Sequence, residues 1–259
     1  MRHLRPLVFM LLKTALTTAG QSYKTRTLAG ISVPDTPTIT RALAYARSNM
    51  DDQTYNHVMR SWLVGQASIS HLPSNVTANV DLEAFAVSAI LHDLGWSKNP
   101  DIISLDKRFE VDGADAARYF LLREGQGTWG EHRIQLVWDA IALHTSRDIA
   151  LYKQSEVWMT SIGILSELVG PNVTLPMFGP ERVAVKQDEW DRISKEFPRT
   201  GLRQFFRDVM IGLCTTQTPA TALDEYEQCI VEESIDSAQF EMIRFLGGNS
   251  MSRGFLSSL

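Results

Sequence analysis

The clearest periodic signal along the chain lies between Leu82 and Leu94, where Leu82, Phe85, Ala86, Ala89 and Ile90 recur at helical spacing. Residues three, four, seven and eight apart share one helix face, so this segment predicts a buried stripe. Gly95 then closes the helix. Similar spacing predicts helices from about Gln53 to Ser70, Gly113 to about Arg123, His132 to His144, and Ser155 to Leu168, the last ended by Gly170-Pro171. Thr38 or Thr40 is expected to cap a helix reaching Met50, and Asp112 the helix that follows it. Asp188–Phe197, Leu202–Cys214, Ala222–Glu232 and Ser237–Phe245 complete the helical segments. Between them, Val33-Pro34-Asp35-Thr36-Pro37 is extended or turning, because each Pro steers its predecessor away from helix. Trp96–Val111, Glu124–Gly127 and Pro176–Pro180 read as irregular segments. Few alternating strand patterns and no βαβ rhythm interrupt this reading. The pattern predicts an all-α fold in one domain over residues 31–246, with an arm or leader at 1–30 and a flexible tail at 247–259.

Composition narrows the function classes. At 44% apolar and 21% charged over 259 residues, the chain has the makings of a globular core and not of a disordered segment. Its net charge of −5, with no basic run, argues against nucleic acid as a partner. The apolar run Leu7–Leu12 is cut short by Lys13 and is far below a membrane span, so no membrane partner is expected. With Arg2, His3 and Arg5 before it, that run is weakly signal-like, and a cleaved leader stays open. Cys214 and Cys229 form no CxxC and are expected to be reduced thiols of a cytoplasmic protein. The oligomeric state stays open, a homodimer included.

The chemistry sits at the end of the strongest helix. Asp93 ends the apolar stripe that begins at Leu82, and His92 lies on the edge of the same face. A buried carboxylate without a partner is expensive, so the pair calls for hydrogen bonds, an ion pair or a metal. His57, within Tyr55-Asn56-His57-Val58-Met59-Arg60-Ser61-Trp62, and His144, seven residues after Val137, also fall on apolar helical faces. Two imidazoles with carboxylates suit one divalent metal, zinc first and iron second.

The order His57, then His92-Asp93, then a later acid resembles the HD superfamily. Further segments resemble its fungal cyanamide hydratase-like branch: Leu91-His92-Asp93-Leu94-Gly95, Arg108-Phe109-Glu110-Val111-Asp112-Gly113-Ala114, Ala142-Leu143-His144-Thr145-Ser146 and Glu196-Phe197-Pro198-Arg199. The resemblance runs from about residue 33 to about residue 235. It implies a helical bundle around a central metal pocket, with His57, His92 and Asp93 as ligands. The family's fourth ligand is normally an Asp in a helix ending in Gly-Pro; Glu167 stands at that place here. Glu167 is therefore expected as a ligand, one methylene longer than the family's residue.

The resemblance implies a hydratase or hydrolase acting on a small nitrile-, cyanamide- or isocyanide-like substrate through metal-activated water. A proton donor must then neutralise the nitrogen; His144, Lys98 and Glu110 are candidates. Arg60, one turn after His57, is expected to orient an anionic group or a carboxylate behind a ligand. Three other readings compete. A phosphohydrolase needs cations for phosphate, and Arg60, Lys98, Lys107 and Arg108 are the candidates. A di-iron oxygenase needs extra histidines between the HD pair and the last acid, where only His132 and His144 lie. A non-catalytic binding protein draws its support from the Glu at 167.

Overall fold

The computed structural model describes residues 23–125 and 127–216. An antiparallel hairpin opens them: β1 (Thr25–Leu28) pairs with β2 (Ile31–Pro34), with Leu28 opposite Ile31. Ala29 and Gly30 form its two-residue loop. Ile31 and Val33 point into the core while Ser32 is exposed, the period-two alternation of a half-buried strand. The expected boundary at residue 30 thus falls inside one continuous element. Four residues per strand are too few for the alternation to stand out from sequence.

Eleven α-helices follow among the described residues. They are α1 (Pro37–Asn49), α2 (Asp52–His71), α3 (Ser74–Thr77), α4 (Leu82–Leu91), α5 (Phe109–Glu124) and α6 (Glu131–Ala142), then α7 (Arg147–Ala150), α8 (Ser155–Val169), α9 (Pro171–Phe178), α10 (Gln187–Glu196) and α11 (Leu202–Thr216). The two-stranded hairpin is the sole sheet among the described residues, and the fold is all-α in character. The expected helices at Ala222–Glu232 and Ser237–Phe245, and the tail, lie outside the described residues.

Several ends differ from expectation for local reasons. Thr36, and not Thr38 or Thr40, caps α1: its Oγ1 accepts from the Ile39 amide at 3.2 Å, with Pro37 at the first helical position. α5 begins at Phe109, so Asp112 lies inside its first turn and does not cap it. The Asp112 carboxylate instead accepts from the amide and hydroxyl of Ser104, both at 2.8 Å, fastening the preceding loop to the helix. α9 occupies much of the expected loop before Pro180, with Pro171 at its start and Pro176 inside it.

Helices α2, α4 and α8 form the centre. α4 was expected to bury one stripe; every residue from Glu83 to Leu91 is buried. It packs against α1, α2, α6 and α8, so it has no solvent face to keep polar. Helices α2 and α8 pack closely against each other where two glycines face. A Cβ on Gly163 would sit 3.1 Å from the Gly65 Cα. A Cβ on Gly65 would in turn meet the Phe85 ring at 2.5 Å, so both positions favour glycine where α2, which carries His57, passes α8, which carries Glu167.

Candidate metal centre

The HD pair sits where α4 lets go. The helix ends at Leu91, a helix expected to continue to Leu94; Asp93 takes φ −101° and ψ 24°, and Leu94–Trp96 form a 3₁₀ turn. The turn is pressed onto α5: a Cβ on Gly95 would lie 2.0 Å from the Phe109 carbonyl oxygen. This tight turn aims both side chains into the bundle. His92 and Asp93 are fully buried and His57 is 1% exposed.

Three atoms converge there. His57 Nε2 and His92 Nε2 are 3.2 Å apart, and Asp93 Oδ2 lies 3.3 Å from the first and 3.0 Å from the second. A tetrahedral ion with bonds of about 2.0–2.1 Å has ligand–ligand edges of about 3.3 Å, close to all three spacings. The opposite ring nitrogens are already occupied. His92 Nδ1 donates to the Ala89 carbonyl at 2.9 Å, and His57 Nδ1 faces Glu167 Oε2 at 2.8 Å. Each neutral ring therefore directs the lone pair of its Nε2 inward. Neither oxygen of Asp93 receives an aligned hydrogen bond, although His92 Nε2 is close by. Two lone pairs and a buried carboxylate with no aligned hydrogen bond converge on one point, an acceptor cluster that a divalent cation would complete. His57, His92 and Asp93 fit a divalent metal.

Electrostatics agree in direction. Burial would raise the Asp93 pKa, but the neighbouring His92, His57 and His144 hold it below the usual carboxylate range. Burial opposes charge on His92, yet Asp93 beside it prevails and raises its pKa. Burial pushes the His57 pKa down against the pull of Glu167 and Asp93.

His144 lies beside the cluster. The α6 helix ends at Ala142, short of the expected His144, and the ring turns back so that Nδ1 donates to the Ile141 carbonyl at 2.7 Å. Its Nε2 is 3.7 Å from Asp93 Oδ1, and its ring meets the His92 ring edge-on at 4.9 Å between centroids. Burial and the adjacent His92 bring its pKa down to about 4. Glu110 reaches this region through Thr145: Glu110 Oε1 accepts from Thr145 Oγ1 at 2.6 Å and from Arg108 Nη2 at 2.5 Å. Lys98 is exposed, unlike the buried cluster. His132 is exposed as well, and His71 pairs with Glu189 far along the sequence.

The geometry does not put Glu167 among the converging atoms. Its carboxylate stands behind His57, and its other oxygen, Oε1, accepts from Arg60 Nε at 2.5 Å and Arg199 Nη1 at 2.6 Å. Burial would raise its pKa; the two guanidinium groups and His57 hold it well below the carboxylate range instead. Arg60 also donates to the carbonyls of Phe197 and Pro198, and Arg199 to those of Glu167 and Leu168. The segment after α10 is thereby strapped to the end of α8. Arg199 had no assigned role in the sequence; its place in Glu196-Phe-Pro-Arg199 was the available signal.

Aromatic rings cover the remaining side. Trp96 lies nearly parallel to His57 with centroids 6.2 Å apart, Phe206 meets His57 edge-on at 5.3 Å, and Phe109 meets His144 at 5.8 Å. Phe205 adds to this wall through Trp96 and Phe206. Ring positions scattered over three segments gave no periodic signal.

Comparison with known families agrees with this geometry. The HD domain family matches residues 54–170, a span that contains His57, the His92-Asp93 pair and Glu167. No curated protein matches the chain significantly. Residues 54–170 thus match the HD domain family, and His57, His92 and Asp93 within that span form a candidate metal site.

Proposed function

We propose that the protein is a metal-dependent hydratase or hydrolase that adds water to a small, neutral nitrile-, cyanamide- or isocyanide-like molecule. One observation carries the reading: a three-donor cluster of metal-binding type sits under an aromatic wall, and the nearby cations are already engaged. Arg60 and Arg199 hold Glu167, Arg108 holds Glu110, and Lys107 holds Asp115. A phosphohydrolase would keep such groups for phosphate. The HD match supports water-activating chemistry in general, and the resemblance to cyanamide hydratases supports the narrower substrate class.

His57, His92 and Asp93 would hold the ion, zinc first and iron second. When bound, a divalent ion makes a coordinated water acidic enough to act as a nucleophile near neutral pH. The chain's own residues do the rest. His144 is neutral at pH 7, with its Nδ1 proton fixed on Ile141 and its Nε2 lone pair facing the Asp93 side. It accepts one proton from the attacking water as oxygen bonds to the electrophilic carbon. For a nitrile or cyanamide the π electrons of the carbon–nitrogen bond move to nitrogen, His144 returns the same proton there, and the resulting imidic acid tautomerises to the amide or urea. For an isocyanide the electron pair is left on the attacked carbon and His144 returns the proton to that carbon, giving the formamide after tautomerisation. Glu110, clamped by Arg108 and Thr145, positions the His144 segment and does not donate the proton. Trp96, Phe109 and Phe206 exclude bulk water and favour an uncharged substrate.

The test is a turnover screen of the zinc- and iron-loaded protein. Cyanamide, small nitriles and isocyanides are assayed for their hydration products, and a nucleotide panel for released phosphate. Hydration lost in His144→Gln, with metal retained, is the expected result. Phosphate release without hydration would replace the proposal by a phosphohydrolase.

A further inference from the structure

We propose that Glu167 serves as a positioning carboxylate behind His57, held there by Arg60 and Arg199, and fixes the proton of His57 on Nδ1 so that Nε2 is presented to the metal site. The inference rests on the metal-site reading. It differs from a ligand role in what the side chain touches.

The division of labour between the two oxygens is the key. Oε1 takes both guanidinium groups, from Arg60 at 2.5 Å and Arg199 at 2.6 Å. Oε2 is left for His57 Nδ1 at 2.8 Å. A carboxylate held ionised by two arginines can only accept, so Nδ1 must donate. His57 Nε2, 3.2 Å from His92 Nε2 and 3.3 Å from Asp93 Oδ2, then carries the lone pair. Carboxylates behind metal-binding imidazoles act in this manner, and losing one weakens metal binding about 10–100-fold. Here the length of Glu matters. An Asp would retract by about one methylene, roughly 1.5 Å, and could not span both the arginines and the ring. The close α2–α8 contact at Gly65 and Gly163 holds the two backbones in register for this reach.

Glu167→Gln makes the inference sharp. The amide oxygen is forced toward the two guanidinium groups, because an NH₂ there would face only donors. The amide NH₂ then points at His57 Nδ1, which must become an acceptor. The ring proton moves to Nε2 and blocks the lone pair. The experiment records imidazole ¹⁵N–¹H spectra of the metal-free protein at mildly alkaline pH, alongside Zn²⁺ and Co²⁺ titrations. We expect the wild type to carry the His57 proton on Nδ1 and Glu167→Gln to carry it on Nε2. Zinc affinity should fall about 10–100-fold, while the visible spectrum of the Co²⁺ form keeps its shape because the ligands are unchanged.

Glu167→Asp retains the charge for the arginines and serves if the Gln variant fails to fold; it should show a mixture of His57 tautomers. An unmoved proton with wild-type zinc affinity in the folded variants overturns the inference. So does a Co²⁺ spectrum that reports loss of a carboxylate ligand, which would return Glu167 to the metal. If the wild type binds neither ion, the metal reading fails, and the tautomer measurement on the metal-free protein still decides the role of Glu167.

Discussion

Gly95→Ala isolates the packing of the HD turn from its chemistry. Gly95 needs no left-handed backbone, so alanine is strained only by contact. Its Cβ would lie 2.0 Å from the Phe109 oxygen, 2.7 Å from its carbonyl carbon and 2.9 Å from its Cα. All three are backbone atoms at the start of α5, so no rotamer change relieves them. Reaching even 3.0 Å from the oxygen requires about 1 Å of separation between the HD turn and α5. Overpacking of this kind costs about 1–3 kcal/mol. The reduced freedom of the unfolded chain returns roughly 0.4–1 kcal/mol, and because the clash is with fixed backbone atoms the overpacking lies toward the upper end, leaving a net loss of roughly 2 kcal/mol. The same shift displaces Asp93, two residues upstream, and Phe109, which touches His144. Urea unfolding of the metal-free protein should show a lower midpoint with unchanged slope. Zinc titration should show weaker binding in the same variant. A Gly95→Ala protein with wild-type midpoint and wild-type zinc affinity would refute this view of the turn.

Arg133 bridges Asp81 and Glu83 and lies over Trp129; Arg133→Met should cost about 3 kcal/mol in the same assay, because it leaves two carboxylates without their cation. Burial tends to raise the Asp81 pKa, but Arg133 and the Ala84 amide bring it below its ordinary value. Its contribution is therefore present above the unfolded pKa of about 3.9 and is lost as pH falls through the folded one. Acid titration of stability should show a loss in that window for the wild type that is smaller in Arg133→Met. Arg199→Met removes three hydrogen bonds to the end of α8 and should lower both stability and zinc affinity, measured by unfolding and titration.

The convergence of the candidate triad was legible because an apolar stripe that ends on Asp93 leaves a buried charge to be explained. Resemblance then tied that charge to His57. The helical class followed from repeated 3.6-residue spacing. The role of Glu167 was not legible, since one extra methylene does not reveal which side of His57 the carboxylate occupies. That depends on α2 meeting α8 at two glycines 98 residues apart in sequence, Gly65 and Gly163. Arg60 stands where a carboxylate-orienting residue was expected, whereas Arg199 acts across a gap that no local pattern spans. The hairpin and α9 were missed for a different reason. Both are short, and α9 carries an internal Pro176, which reads as a helix breaker although the first turn of α9 tolerates Pro171.

The most direct measurement is metal content by elemental analysis, on protein purified without added metal and after reconstitution with zinc or iron. It is repeated on His92→Ala, Asp93→Asn and His144→Gln. We expect about one divalent ion per chain in the wild type and in His144→Gln, and almost none in His92→Ala or Asp93→Asn. Metal retained without His92 and Asp93, or no binding by the folded wild type even after reconstitution, would contradict a metal centre at this site.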